Sequence, residues 1–136
     1  DFVFRDASES SGIQIGNQWS NGVTFSDINA DGFMDIYITQ GGPNDRKDRA
    51  NLLYINNGDE TFSEEAATYG LDDRGESTQA VFFDYDRDGD LDCFVLNENE
   101  LYGYDPLSLY AYLEAHPEDR EFNTSKLYEN KEGMQE

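Results

Sequence analysis

Two short acidic stretches carry side chains whose types and spacing suit the binding of a metal ion. The first, DINADGFMD, spans residues 27–35, and the second, DYDRDGDLD, spans residues 84–92. In both, carboxylate or amide oxygens stand at alternate positions of a tight loop that contains a glycine. Ca²⁺ takes about six to eight hard oxygen ligands of this kind. The predicted ligands are Asp27, Asn29, Asp31, the Phe33 carbonyl and Asp35 in the first loop, and Asp84, Asp86, Asp88, the Asp90 carbonyl and Asp92 in the second.

Other interpretations of these loops are weaker. Mg²⁺ is the second choice because it demands stricter geometry, and zinc would require histidine or cysteine ligands. A metal-free turn is an open alternative, since Asp, Asn and Gly favour turns in any case. An EF-hand sensor is excluded because it needs a glutamate on an exiting helix, where this sequence has Ile38 and Val95 in strand-like runs.

The second loop carries more negative charge than the first. Asp86 stands where the first loop has the amide of Asn29, and Asp90 adds a further carboxylate. We therefore predict two Ca²⁺ sites, of which the second binds more tightly. Without the bidentate glutamate, both should be weak, on the order of 10⁻⁴–10⁻³ M.

The charge of the whole chain excludes several partners. Nine basic residues face thirty acidic ones, and the formal net charge is −21. Nucleic acids and anionic membranes are disfavoured, because both are bound through lysine and arginine. Two Ca²⁺ ions would reduce the net charge to about −17 and relieve self-repulsion.

Neither the single cysteine nor the single histidine suggests a reactive site. Cys93 lies in the apolar run DCFVL, which predicts a small buried side chain rather than a nucleophile. His116 precedes Pro117 in a polar stretch, has no second histidine nearby and is predicted to lie at the surface. No apolar run approaches the roughly 20 residues of a membrane span.

An internal repeat with an offset of 57 residues organises the chain. Each copy reads as strand, acidic loop and strand, and "NLLYINNGDETFSEEA" is typical of a hairpin around Asn57 and Gly58. About four short strands per repeat predict the blades of a β-propeller, whereas a non-repeating sandwich would not explain the offset. At this offset 20–27 matches 77–84 and 34–39 matches 91–96; with one gap 4–13 matches 62–71, and after an insertion 126–130 matches 52–56.

The repeat also predicts how the chain is divided. We expect one all-β propeller fragment over residues 1–136, with about two four-stranded antiparallel blades and the start of a third. Since two blades cannot close a ring, its expected neighbours are the remaining propeller blades of a longer parent chain. A short helix is predicted within the insertion. Asp105 and Pro106 form an N-cap and N1 pair at its start, and Pro117 ends the helical spacing. This helix is expected to cover a sheet edge or rim, with partner binding as the alternative. The predicted parts are repeat 1 at about 4–61, repeat 2 at about 62–104, an insertion at 105–122 and the start of a third repeat at 123–136.

The stretches VTFSDINADGFMDIYIT and AVFFDYDRDGDLDCFVLN, with LLYINNGDETFSEEAATYGL between them, resemble FG-GAP/VCBS repeats. Their order is similar to that of ASPIC/UnbV-type proteins and, more distantly, to integrin α-subunit propellers. The resemblance implies a seven-bladed propeller with Ca²⁺ in its loops, in secreted or surface proteins. The words FG and GAP themselves are absent, so that an integrin-like ligand site is not inferred.

These observations favour a calcium-binding propeller segment that acts as an extracellular scaffold, adhesion or recognition module. Such weak sites would be filled outside a cell, so we expect a secreted, periplasmic or cell-surface location with a protein or glycan partner. No catalysis is expected, because the clustered carboxylates are better explained as ligands. The alternative is a carbohydrate-binding module, with Trp19, Tyr102 and Tyr104 as contacts, or a non-catalytic part of a larger hydrolase.

Overall fold

The computed structural model describes residues 2–14, 16–42 and 45–131, and it consists mainly of two antiparallel sheets. The first sheet has the strand order β1-β2-β3-β4 and the second the order β5-β6-β7. The elements are α1 (Ser8–Ser11), β1 (Trp19–Ser26), β2 (Asp35–Gly41), a 3₁₀ helix (Arg46–Asp48), β3 (Leu52–Asn56), β4 (Phe62–Glu64), β5 (Glu76–Phe83), β6 (Asp92–Glu98), α2 (Pro106–Ala115), a second 3₁₀ helix (Pro117–Phe122) and β7 (Lys126–Tyr128).

The sequence repeat is reproduced in the strand pairing. β1 pairs with β2 in the same register as β5 with β6, and each pair has an irregularity at the matched positions, Ser20/Gly22 and Ser77/Gln79. The predicted hairpin is also confirmed, because β3 and β4 pair around a turn in which Gly58 has a φ of 74°. β-branched and aromatic residues, which favour strands, are frequent in these segments.

The two sheets stack face to face, with β1 close to β5. The Thr24 hydroxyl donates to the Ala80 carbonyl oxygen at 2.6 Å. Gly22 permits this approach, because a Cβ there would lie 2.6 Å from the Thr78 carbonyl oxygen. The core between the sheets contains Tyr37, whose ring meets that of Phe82 edge-on at a centroid distance of 5.6 Å.

Burial of apolar side chains in this interface stabilises the stack. Tyr37, Leu53 and Val95 are fully buried, and each such side chain contributes about 1.5–3 kcal/mol relative to exposure. Cys93 is buried among them as predicted, and its burial raises the pKa of the thiol to about 12. The thiol is therefore not primed for nucleophilic chemistry.

Part of the segment predicted to start a third repeat pairs with the second sheet. Lys126–Tyr128 forms β7 and pairs with β6, which is how β3 pairs with β2 in the first sheet. The match between 126–130 and 52–56 has this physical basis, since both segments are the third strand of a sheet. Residues 132–136 of the predicted third repeat lie outside the described residues.

The predicted helix is confirmed. α2 spans Pro106–Ala115, and the Asp105 side chain caps it by accepting from the backbone N–H groups of Leu107 and Ser108. The second 3₁₀ helix follows at once, and the Tyr112 hydroxyl donates to Asp119 in it at 2.9 Å. His116 is half-buried, with its ring stacked on Tyr112 at 4.2 Å. None of the described helices is long and apolar enough to cross a membrane.

Candidate metal centre

Both acidic loops join the first two strands of a sheet and have positive φ values at matched positions. The first connects β1 to β2, and φ is positive at Ala30 (58°) and Gly32 (91°). The second connects β5 to β6, and φ is positive at the matched residues Arg87 (70°) and Gly89 (101°). A Cβ at either glycine would meet no atom, so glycine is required there by its backbone torsion.

In the first loop, the predicted ligands turn their oxygens towards the backbone of the loop itself. Asp27 accepts from the N–H of Asp31 at 3.0 Å and from that of Gly32 at 2.9 Å. Asp31 in turn accepts from the N–H of Phe33 at 2.8 Å and from the Asn29 amide at 2.9 Å. The side chains of Asp27, Asn29 and Asp31 thus hydrogen-bond within the turn, and their ligation of a metal ion stays a prediction.

In the second loop, three carboxylates meet. Asp84, Asp86 and Asp88 each place one oxygen within 4.8 Å of the others, and all three residues are exposed. Asp84 accepts from the N–H of Arg87 at 2.6 Å, and Asp86 from that of Asp88 at 3.3 Å. No lysine or arginine of the described ranges forms an ion pair with any of the three.

The pKa values of Asp86 and Asp88 are shifted by their surroundings in the loop. Partial desolvation raises the pKa of Asp86, and the charges of Asp88 and Asp92 raise it further. The pKa of Asp88 is lowered, mainly because its carboxylate accepts a hydrogen bond from the N–H of Asp90. Converging carboxylate oxygens without a compensating cation are the donor set that a hard divalent ion takes.

The last residue of each loop, Asp35 in the first and Asp92 in the second, is buried and connects the loop to its sheet by hydrogen bonds. Asp35 accepts from the N–H of Ile28 at 2.8 Å and from the N–H of Asn56, at the end of β3, at 2.8 Å. Asp92 accepts from Tyr85 and from Asn130, after β7, at 2.9 Å in each case. Each carboxylate thus joins its loop to the third strand, and its metal ligation stays a prediction.

The two residues predicted to contribute carbonyl oxygens differ in their surroundings. The ring of Phe33 lies over the hairpin turn, where a Cβ on Gly58 would be 2.9 Å from it. Asp90 is half-buried and lines a cleft of about 580 Å³. Residues 28–30 of the first loop line the same cleft, so that both loops border one concave surface. Ligation by either carbonyl stays a prediction.

A buried polar network between the sheets was not found by sequence reasoning. The Asn51 amide donates to the Tyr37 hydroxyl and to the Ser77 hydroxyl, both at 3.0 Å. Ser77 donates to Asn97 at 2.7 Å, and Asn97 donates to Asp73 at 3.1 Å. These residues come from distant parts of the chain, and local sequence patterns do not indicate such contacts.

The comparison with protein families matches the part of the chain that holds both loops. Residues 27–95 match the family model of the FG-GAP-like repeat. The chain belongs to the FG-GAP-like repeat family. Together with the two stacked antiparallel sheets, this confirms the predicted fold class, an all-β propeller segment with a short inserted helix. A search of curated proteins found no match to this FG-GAP-like chain.

Proposed function

We propose that this FG-GAP-like chain is a calcium-stabilised propeller segment that acts outside the cell as a scaffold, adhesion or recognition module. The observation that carries the proposal is the convergence of Asp84, Asp86 and Asp88 within 4.8 Å, in a loop whose positive φ values recur in the loop of the first sheet. Membership of the FG-GAP-like repeat family supports a propeller-type module for recognition or scaffolding. Calcium binding and the extracellular location are what we propose beyond this.

The proposed role of the ion is structural. Asp27, Asn29 and Asp31 would hold one ion and Asp84, Asp86 and Asp88 the other, each between the first two strands of a sheet. Bound Ca²⁺ would offset carboxylate repulsion in a chain of net charge −21. The loop connects two strands rather than two helices, so binding would stiffen the sheet without opening a groove.

Thermal unfolding with calcium and with chelator tests the proposal. At a free Ca²⁺ concentration about 100-fold above Kd, each occupied site should add about 2.7 kcal/mol to the free energy of unfolding. The melting temperature should then rise by about 10 °C per site. An unchanged melting temperature would contradict a structural role for calcium. The same experiment with magnesium at the same concentration measures the ion selectivity of the sites.

Paired substitutions separate the two sites. Isothermal titration of Asp88→Asn should lose the tighter binding event and that of Asp31→Asn the weaker one, because the second loop carries more charge. Glu121→Gln is the matched control, since it removes one exposed negative charge far along the chain from either loop. Equal loss of heat in both loop variants would contradict the ranking of the sites.

Carbohydrate binding is the second candidate function, and exposed aromatic rings favour it. Trp19 and Tyr102 are 59% and 67% exposed. Tyr102 also donates its hydroxyl to Glu98 at 3.4 Å, which orients the ring at the surface. A glycan array with the native chain and a Trp19→Ala variant tests this candidate, and absence of binding by the native chain would dismiss it.

A further inference from the structure

A cleft of about 580 Å³ lies where the first acidic loop meets the second sheet. Its lining comes from that loop, from the connection between β4 and β5, and from the second sheet with its own acidic loop. The lining residues Ile28, Leu71 and Cys93 belong to the core between the sheets. The cleft therefore opens from the internal contact of the two sheets and not from the outer face of either.

The deep part of the cleft is apolar. Ile28, Leu71 and Cys93 are 9%, 6% and 2% exposed. Phe82 and Leu91 are half-buried and present further apolar surface to the cleft. An apolar group that enters the cleft would remove this surface and its own from water, which is favourable.

Three aromatic rings line the same cleft, those of Tyr69, Phe82 and Tyr128. The Phe82 ring meets that of Tyr37 edge-on at 5.6 Å. The Tyr128 hydroxyl donates to Asp73 at 2.5 Å, so that both rings are held in place. The faces of aromatic rings attract organic cations, most strongly where water is excluded. The aromatic lining therefore suits a ligand that is both apolar and positively charged.

The surroundings of the cleft are strongly negative. The two loops that border it, residues 27–35 and 84–92, contain eight carboxylates and one arginine. Among the described residues, no lysine or arginine forms an ion pair with Asp27, Asp31 or Asp88. A cleft with walls of low dielectric constant and with charge of one sign at its border focuses the field and concentrates cations.

One ion pair stands at the entrance of the cleft. Glu129 and Lys131 line it, and their side chains are 42% and 79% exposed with Oε2 and Nζ 3.3 Å apart. The N–H of Asn130 between them donates to Asp92 at 2.9 Å, which holds this segment beside the second loop. Exposed ion pairs are weak, so a cationic ligand can replace Lys131 as the partner of Glu129.

The size of the cleft favours a small molecule over a protein surface. Clefts of about 300–1,000 Å³ typically enclose ligands of drug size. A specific protein interface, by contrast, spreads over about 800 Å² on each partner. A concave site with an apolar floor and an acidic entrance therefore selects a compact ligand.

We propose that this cleft binds a small organic cation. The apolar body of the ligand lies against Leu71, Phe82 and Leu91, and its ammonium group lies at the acidic entrance. An inorganic cation lacks the apolar body that the floor requires, and a neutral apolar molecule lacks the charge that the entrance attracts. The proposal does not rest on calcium binding.

Titration of the ¹⁵N-labelled chain with 2-phenylethylammonium in chelator tests the proposal. The probe should shift the amide signals of residues 28–30, 68–71 and 90–93 saturably, with a Kd on the order of 1 mM for so small a ligand. Its neutral isostere 2-phenylethanol should bind at least about fivefold more weakly, because it lacks the charge. 3-Phenylpropionate, which has the opposite charge, and methylammonium, which lacks the apolar body, should not bind.

Substitutions at the entrance should change the affinity in opposite directions. Glu129→Gln should weaken binding of 2-phenylethylammonium about threefold, and Lys131→Gln should strengthen it about threefold because it removes a competing charge. Glu121→Gln and Lys47→Gln are the matched controls, since they change the net charge equally but lie outside the cleft. None of the four changes should alter the binding of 2-phenylethanol.

A substitution that fills the cleft completes the test. Thr68 is exposed and lines the cleft, so Thr68→Trp should abolish binding of the ammonium probe while circular dichroism and the melting temperature remain native. Equal affinity for the ammonium and alcohol probes, shifts that spare residues 68–71, or entrance variants that bind like their controls would overturn the proposal. A chain that binds the probe but melts at the same temperature with and without calcium would support this proposal and contradict structural calcium.

Discussion

Asp73 lies in the connection between the two sheets, and its buried side chain is held by residues of the second sheet. Its side chain is 0% exposed and pairs with the Lys126 ammonium group at 2.6 Å. It also accepts from the Tyr128 hydroxyl at 2.5 Å and from the N–H of Gly75 at 2.7 Å. Burial alone would raise the pKa of this carboxyl, but the donors, Lys126 first, outweigh burial and lower it.

We expect Asp73→Asn to lower the free energy of unfolding by about 3 kcal/mol at pH 7, because it leaves the Lys126 charge without its buried partner. Since the folded-state pKa of Asp73 is lowered, its contribution is present above the unfolded value of about 3.9 and is lost as pH falls through the folded value. Urea titrations should therefore show the difference between native and variant shrinking below about pH 4.

The neighbouring carboxylate is the matched control for that experiment. Asp72 is 37% exposed and pairs with Arg74 at the surface at 3.3 Å. Asp72→Asn should change stability by less than about 0.5 kcal/mol at any pH, because exposed ion pairs contribute little. If both substitutions cost the same, the buried pair has no special role.

At the scale of elements, Arg46 of the first 3₁₀ helix joins the inserted segment to the rest of the chain. Arg46 donates to Glu100 through Nε at 3.0 Å and Nη2 at 2.6 Å, and to Asp119 through Nη1 at 3.0 Å. Its guanidinium lies 4.1 Å from the centre of the Phe122 ring. The second 3₁₀ helix is thus anchored to the connection that follows β2, and α2 is attached to it.

Replacing Arg46 by lysine keeps the charge but removes the planar fork that makes these contacts. Hydrogen exchange of the α2 amides should quicken by about tenfold, which corresponds to about 1.4 kcal/mol of local opening free energy. Global stability should change by less than about 1 kcal/mol, because Arg46 is partly exposed. Lys47→Ala is the control, and equal exchange in both variants would show that α2 is held by other contacts.

The insertion also shows what local sequence could and could not predict. Asp105, Pro106 and Pro117 predicted the bounds of α2 because capping and breaking act within a few residues. The Arg46 anchor joins residues far apart in the chain, and no periodicity signals such a pair. Local rules therefore predicted the helix, and only tertiary structure showed what holds it.

At the scale of the molecule, the predictions that were confirmed were based on the internal repeat. The pairs β1–β2 and β5–β6 and the acidic loops between their strands recur with one offset, so that each copy supported the interpretation of the other. The pairing of Lys126–Tyr128 with β6 could not be predicted from local sequence, because the insertion separates the two strands. The Asp73–Lys126 pair was missed because Lys126 stands where the first sheet has Leu52, so the repeat has no counterpart for it.

The net charge of −21 makes a final prediction at this scale. Like charges spread over the folded surface repel one another, so salt should stabilise the calcium-free chain by screening that repulsion. The melting temperature in chelator should rise as NaCl increases from about 0.02 M to about 0.5 M. Local pairs such as Lys126–Asp73 oppose this trend, but they are few against thirty acidic residues. The same series in calcium is the control and should rise less if ions already neutralise part of the charge. A melting temperature that falls with salt would mean that the ion pairs outweigh the repulsion of the whole surface.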